Sequence, residues 1–98
     1  MITITIHKVT KRLGIAVNGG ADTRQVAVRI KEIIPGGSAA KTGQGLRVEQ
    51  QILQINTTSL KGLKHKEAVA IIKSAFDSPE KTMTIIVVDP EEEEEEDY

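Results

Sequence analysis

Residues 11–20 read Lys11-Arg12-Leu13-Gly14-Ile15-Ala16-Val17-Asn18-Gly19-Gly20, "KRLGIAVNGG", with one glycine between two large apolar residues and directly after two cations. A glycine there allows torsions and close approaches that a Cβ forbids. The apolar flanks call for a partner that is partly apolar, and the cations for one that also carries negative charge. The run continues as a strand over 15–18, and the following "NGGADT" is turn chemistry.

Upstream, "MITITIHKV" alternates with period two, Ile2, Ile4 and Ile6 on one face and Thr3, Thr5 and His7 on the other, which predicts a strand. Downstream, "QVAVRIKEII" alternates again, with Val26, Val28 and Ile30 inward and Arg29 and Lys31 outward, until Pro35-Gly36-Gly37 ends it. "SAAKTG" fits a turn or two of helix, with Ser38 as a cap and Gly43 as a stop. "QQILQINTTSL" predicts a strand around 52–55, a turn, and a very short strand at 58–60.

Residues 64–76 form the one long helix the spacing supports. Ala68, Ile71, Ile72 and Ala75 recur at helical intervals, and Asp77-Ser78-Pro79 stops them. "KTMTIIVV" (81–88) is the last strand. The order β-β-β-α-β-β-α-β predicts a small α+β domain with mostly antiparallel pairing. The helix also has a second stripe: His65, Val69 and Ile72 lie at i, i+4 and i+7. As core alone, this stripe leaves the histidine at its open end unexplained. Against the strand at 13–17 it lines a groove with apolar walls and one hydrogen-bonding group.

Composition narrows the function classes. Ninety-eight residues make one domain, and with no cysteine there is neither a disulfide framework nor a thiolate metal site. Apolar runs fall far short of the roughly 20 residues that span a bilayer. Thr3, Thr5, His7 and Lys8 interrupt any signal-peptide core, so a soluble, intracellular chain is expected. The net charge of −1 hides an asymmetry, because residues 89–98, "DPEEEEEEDY", hold eight of the fourteen acids. Residues 1–88 carry thirteen Lys and Arg against six acids, a body of about +7 followed by a self-repelling tail over 89–98 that is expected to be disordered. The cations are dispersed and only Phe76 and Tyr98 are aromatic, so bases have almost nothing to stack on and no nucleic-acid role is expected. Two distant histidines, with no motif for a nucleophile, metal or cofactor, give no support to an enzyme. The loop also lacks the Gly-x-x-x-x-Gly-Lys spacing of a phosphate loop.

These pieces, in this order, resemble a PDZ domain, the family that binds the free C-termini of other proteins. The resemblance covers about 2–88. "ITIHK" and "RLGIAV" are similar to its first strand and carboxylate-binding loop, and "IIPGGSAAKTG" to its third strand and short helix. "LRVEQQILQIN" and "LKHKEAVAIIKSA" are similar to its fourth strand and second helix. Arg12 replaces the first glycine of the loop's Gly-Φ-Gly-Φ pattern, where Φ is apolar, and Glu49-Gln50 stands where Gly-Asp is usual. The region around 42–45 is one residue longer, and Lys64 occupies a position that is often a Ser or Thr cap.

The resemblance implies a partly open antiparallel β-sandwich or barrel of five or six strands with two α-helices. It implies that the amides of Leu13, Gly14 and Ile15 form a nest for a terminal carboxylate. Leu13, Ile15, Val17 and Ile72 would pocket the ligand's last side chain, with Val69 extending the wall. The rest of the peptide would add as a strand to the edge at 15–18. Lys8 matches a basic position that assists the carboxylate through water. His65 matches the histidine that bonds a Ser or Thr hydroxyl two residues before the ligand's end. Lys31 would lie beside the peptide and favour an acid three residues before that end. His7 receives no role. The implied partners are C-terminal tails of membrane receptors, channels or signalling proteins, met by a cytoplasmic scaffold at the inner face of the plasma membrane or at cell junctions. The chain's own Tyr98 terminus, an acid-x-aromatic end, is a weak candidate ligand between chains. The competing reading is a basic surface of Arg12, Lys61, Lys64 and Lys66 docking on anionic lipid head groups. No cofactor is implied.

Overall fold

The computed structural model describes residues 1–92. The chain runs β1 (Ile2–His7), β2 (Ile15–Asn18), β3 (Arg29–Ile33), α1 (Ser38–Thr42), β4 (Gln51–Ile55), β5 (Thr58–Ser59), α2 (His65–Asp77) and β6 (Thr82–Val88), then one 3₁₀ turn at Pro90–Glu92. All strand pairs are antiparallel, in the order β1-β6-β4-β3-β2 with β5 hydrogen-bonded to β4. This is the expected open six-stranded sheet with two helices. β2 is an end strand, with one side paired to β3 and the other side unpaired in the sheet.

The core follows from the periodicities. Ile4 and Ile6 of β1 face inward, as do Met83, Ile85 and Val87 of β6, and they pack with Ile30, Ile52, Ile55 and Leu60. Helix α2 closes this face with Ala68 and Ile72 buried and Ile71, Ala75 and Phe76 partly buried against the same cluster. Ile2, on the same face as Ile4, is 37% exposed at the open start of its strand.

Two features of β3 depart from simple alternation. Val26, expected inward, is 63% exposed, and the strand begins only at Arg29. Residues 19–27 close on themselves instead. Gly20 N–H donates to Gln25 O, Thr23 N–H to Gly20 O, and the Gln25 amide to Asn18 Oδ1 and Ala27 O. A backbone bonded into a turn leaves Val26 outside the pleat. Further along, Ala16 faces Glu32 while Val17 faces Ile30, so Lys31 is an extra, unpaired residue. A bulge of this kind breaks the period of two, and both Lys31 and Glu32 are exposed.

The short helix does not use Ser38 as its cap. Gly37 holds the N-cap position, and the buried Ser38 hydroxyl accepts from the Thr10 N–H at 3.0 Å and meets the Thr10 hydroxyl at 2.9 Å. Glu49-Gln50 also proves structural. Gln50 is fully buried and its side chain accepts from Arg47 N–H, while its amide donates to Gly45 O and to Asp89 Oδ1. Arg47 reaches the same Asp89 carboxylate at 2.8 Å. Asp89 is therefore buried with the body, and the Pro90–Glu92 turn follows it, with Glu92 meeting the N-terminal ammonium at 3.3 Å. The remainder of the expected disordered tail, 93–98 with Tyr98, lies outside the described residues. Among the described residues, no helix is long and apolar enough to cross a membrane.

Candidate functional site

The loop between β1 and β2 is fixed from behind. The carbonyls of Arg12, Leu13 and Gly14 accept from the N–H groups of Ser38, Ala39 and Ile34 at 2.9, 2.9 and 2.8 Å. With three consecutive carbonyls engaged on one side, the neighbouring amides are turned toward the other. The Ile34 to Gly14 bond makes Ile15 and Ile33 a non-hydrogen-bonded pair, so the Ile15 N–H points away from β3, toward the open edge. Among the described residues, the N–H groups of Leu13 and Gly14 meet no acceptor.

Gly14 is held to glycine by both torsion and space. Its φ is +77°, and a Cβ there would fall 3.0 Å from Gly37 Cα and 3.2 Å from Ile34 O. It is required for a left-handed torsion and for the approach of α1's start. Arg12, at the missing first glycine, is not among the positive-φ residues, so the position tolerates a side chain.

Beside the loop, β2 and α2 enclose a groove of about 420 Å³. Leu13, Ile15 and Val17 form one wall, Val69, Ile72 and Phe76 the other, and Arg12, Ala16, Lys73 and Asp77 complete the lining. Five apolar positions taken from the sequence thus meet in one place. Phe76 was missed as a site residue, although it continues the stripe one turn past Ile72; Lys73 and Asp77 carried no signal at all. A larger depression of about 520 Å³, between the Val26 turn, β4 and β5, contains none of the loop's amides.

His65 is not part of the groove lining and sits one turn before Val69, at the first position of α2. Its Nδ1 lies 2.8 Å from Gly19 O. A carbonyl only accepts, so the contact places a proton on Nδ1, and the neutral ring then keeps its lone pair on Nε2. Its backbone N–H donates to Asp22 Oδ1 at 2.9 Å. Lys64, the expected cap position, has no side-chain cap bond; its N–H donates instead to Glu67 Oε1 at 2.9 Å. Two carboxylates therefore serve the helix start, where exposed amides favour negative charge. The His65 amide bond is the foremost cause that holds the Asp22 carboxyl below its ordinary range.

The Lys8 ammonium is bonded at the end of α2. It donates to Ala75 O at 2.7 Å, Ser78 O at 3.0 Å and Ser78 Oγ at 2.9 Å, and lies 5.9 Å from the Phe76 ring centre. All three donors are occupied at the C-terminal end of α2, a helix with no basic residue in its own last turn. Lys31 stands exposed on the β3 bulge, outside the groove lining. His7 is exposed, with its N–H donating to Thr42 Oγ1.

The family model for the PDZ domain matches residues 3–86. The chain is 46% identical over 78 residues to Whirlin of Mus musculus, covering 80% of this chain and 8% of that protein. It is 34% identical over 98 residues to Disks large homolog 2 of Rattus norvegicus, covering 92% of this chain and 11% of that one. The chain thus spans only about a tenth of the length of these relatives. In fold, it is similar to the crystal structure of Dlg1 PDZ2 from the choanoflagellate Monosiga brevicollis, with a TM-score of 0.72 at 24% identity, covering 88% of this chain and 94% of that one. With a free sheet edge, a loop whose amides are turned outward and a helix-walled groove between them, the chain belongs to the PDZ domain family, a family of protein–protein interaction modules.

Proposed function

We propose that the groove between β2 and α2 takes the free C-terminus of a partner protein, with preference for Ser or Thr at the third-from-last position and an apolar last residue. One observation carries this reading: the carbonyls of residues 12–14 are all consumed by Ile34, Ser38 and Ala39, which leaves the amides of Leu13, Gly14 and Ile15 as a concave donor set for a carboxylate. The last side chain enters between Leu13, Ile15, Val17, Val69, Ile72 and Phe76. The peptide backbone pairs with the open edge of β2, and Nε2 of His65 accepts from the hydroxyl. Lys31, at the bulge, favours an acid one residue earlier. Lys8 supports the groove by holding the end of α2 beside Phe76.

The partners fitting this site are C-terminal tails of membrane receptors, channels or signalling proteins. That reading places the domain's work in the cytoplasm, at the inner face of the plasma membrane or at junctions.

A short peptide that buries one side chain and a strand is expected to bind with a Kd on the order of micromolar, about −8 kcal/mol. Titration of one peptide as free acid and as C-terminal amide tests the reading. The acid is expected to bind and the amide to lose most of its affinity; equal affinity refutes it. Lipid docking by the basic face, by contrast, weakens steeply as salt rises.

A further inference from the structure

The turn at 19–23 does more than join β2 to β3. It is bonded at three points onto Leu63 and His65, where the chain enters α2. Asp22 Oδ1 accepts from the His65 N–H at 2.9 Å, Gly19 O lies 2.8 Å from His65 Nδ1, and the Ala21 N–H donates to Leu63 O at 2.8 Å. The approach is tight: a Cβ on Gly20 would fall 2.4 Å from the His65 backbone nitrogen. These contacts join the two walls of the groove at the end away from the carboxylate loop.

Residues 64 and 65 both lack a side chain that can cap the helix from within. Lys64 has no acceptor, and the His65 ring is turned back to Gly19. The acceptor comes instead from a residue 43 positions earlier in the chain. We propose that Asp22 is a positioning residue for ligand selection: by bonding the first amide of α2 it keeps the His65 ring on the Gly19 carbonyl, so that Nε2 is presented only as an acceptor. An acceptor at that point selects a ligand residue that brings a hydroxyl proton. Released from Gly19, the ring would exchange between tautomers and rotamers, and the hydroxyl preference would fade. The proposal rests on the reading of the groove as a peptide site.

The test has two readouts on the full chain. Nitrogen-15 NMR of the histidine ring reports the His65 tautomer with no ligand present. Titrations with three free-acid peptides, identical except for Thr, Ser or Ala at the third-from-last residue, report selection. The wild type is expected to show Nδ1–H with a bare Nε2. In Asp22→Ala the ring signal moves toward a mixture, and the preference for Thr and Ser over Ala falls about two- to tenfold. The Ala peptide's own affinity stays within about twofold, since it made no such bond. Asp22→Asn keeps the accepting oxygen and restores both readouts. A ring signal or a hydroxyl preference that Asp22→Ala leaves intact, an equal loss for all three peptides, or an Asp22→Asn protein that behaves like Asp22→Ala overturns the proposal. If no peptide binds the wild type, the peptide reading fails by itself and the ring signal alone decides whether Asp22 holds His65.

Discussion

Gly14 and Gly37 meet backbone to backbone: a Cβ on Gly14 would fall 3.0 Å from Gly37 Cα, and one on Gly37 would fall 2.8 Å from Gly14 Cα. This contact lets the start of α1 reach the carbonyls of residues 12 and 13 and so sets the outward face of the loop. Gly37 has an ordinary φ of −78°, so the cost of a side chain there is steric and not torsional. Gly37→Ala is expected to push the loop from α1, lowering stability by about 1–3 kcal/mol and weakening free-acid peptides further. Thermal unfolding and peptide titration, run together, check this. A variant with wild-type affinity would show that the loop is held by other contacts.

Removing the ring of His65 addresses selection and not the anchor. His65→Ala is expected to weaken peptides with Ser or Thr at the third-from-last position by about 0.5–1.5 kcal/mol, the net value of one hydrogen bond. Peptides with Ala there should change little. Calorimetric titration of the matched pair gives the answer, and an equal loss for both would remove His65 from the specificity argument.

Lys8 separates two readings of one cation. If it caps α2, as its bonds to Ala75 O and Ser78 indicate, Lys8→Met lowers stability by about 1–2 kcal/mol through the lost charge-assisted bonds at a helix C-terminus. The discrimination between acid and amide peptides then survives. Chemical denaturation with both peptide forms measures the two effects separately. A variant of unchanged stability that no longer distinguishes acid from amide would return Lys8 to the carboxylate.

Acid should loosen the end of β6. The Asp89 carboxyl is held below its ordinary 3.8, first by the Gln50 amide and then by Arg47. A folded-state value below the unfolded one means that the charged form stabilises the fold. This contribution is complete above about 3.8 and disappears as pH falls through the lower folded value. Urea midpoints measured from pH 6 down to pH 2 should therefore fall more for the wild type than for Asp89→Asn. Parallel curves would show that Asp89 contributes nothing to the acid response. Gln50→Ala leaves the Arg47 N–H and Gly45 O without their buried partner and is expected to cost about 1–3 kcal/mol at neutral pH.

Spacing along the chain makes legible the order of elements, the alternation of β1, the long helix and the apolar walls of the groove. Each of these is written in a spacing of two or of three to four residues, because burial acts on every residue of a regular element and leaves a local imprint. Tertiary structure alone decided the rest. Val26 left the core because its turn closed on itself, and the bulge at Lys31 broke the alternation. Gln50 and Asp89 became one buried network, and Lys8 went to the far end of α2. His65 took its tautomer from Gly19 and its helix start took its cap from Asp22. The bonds of Gln50, Lys8 and His65 are single directional ones between residues 39 to 70 positions apart, made by groups that are polar and carry no local period. A hydrogen bond depends on where two atoms finally meet, and no period along the chain records that meeting.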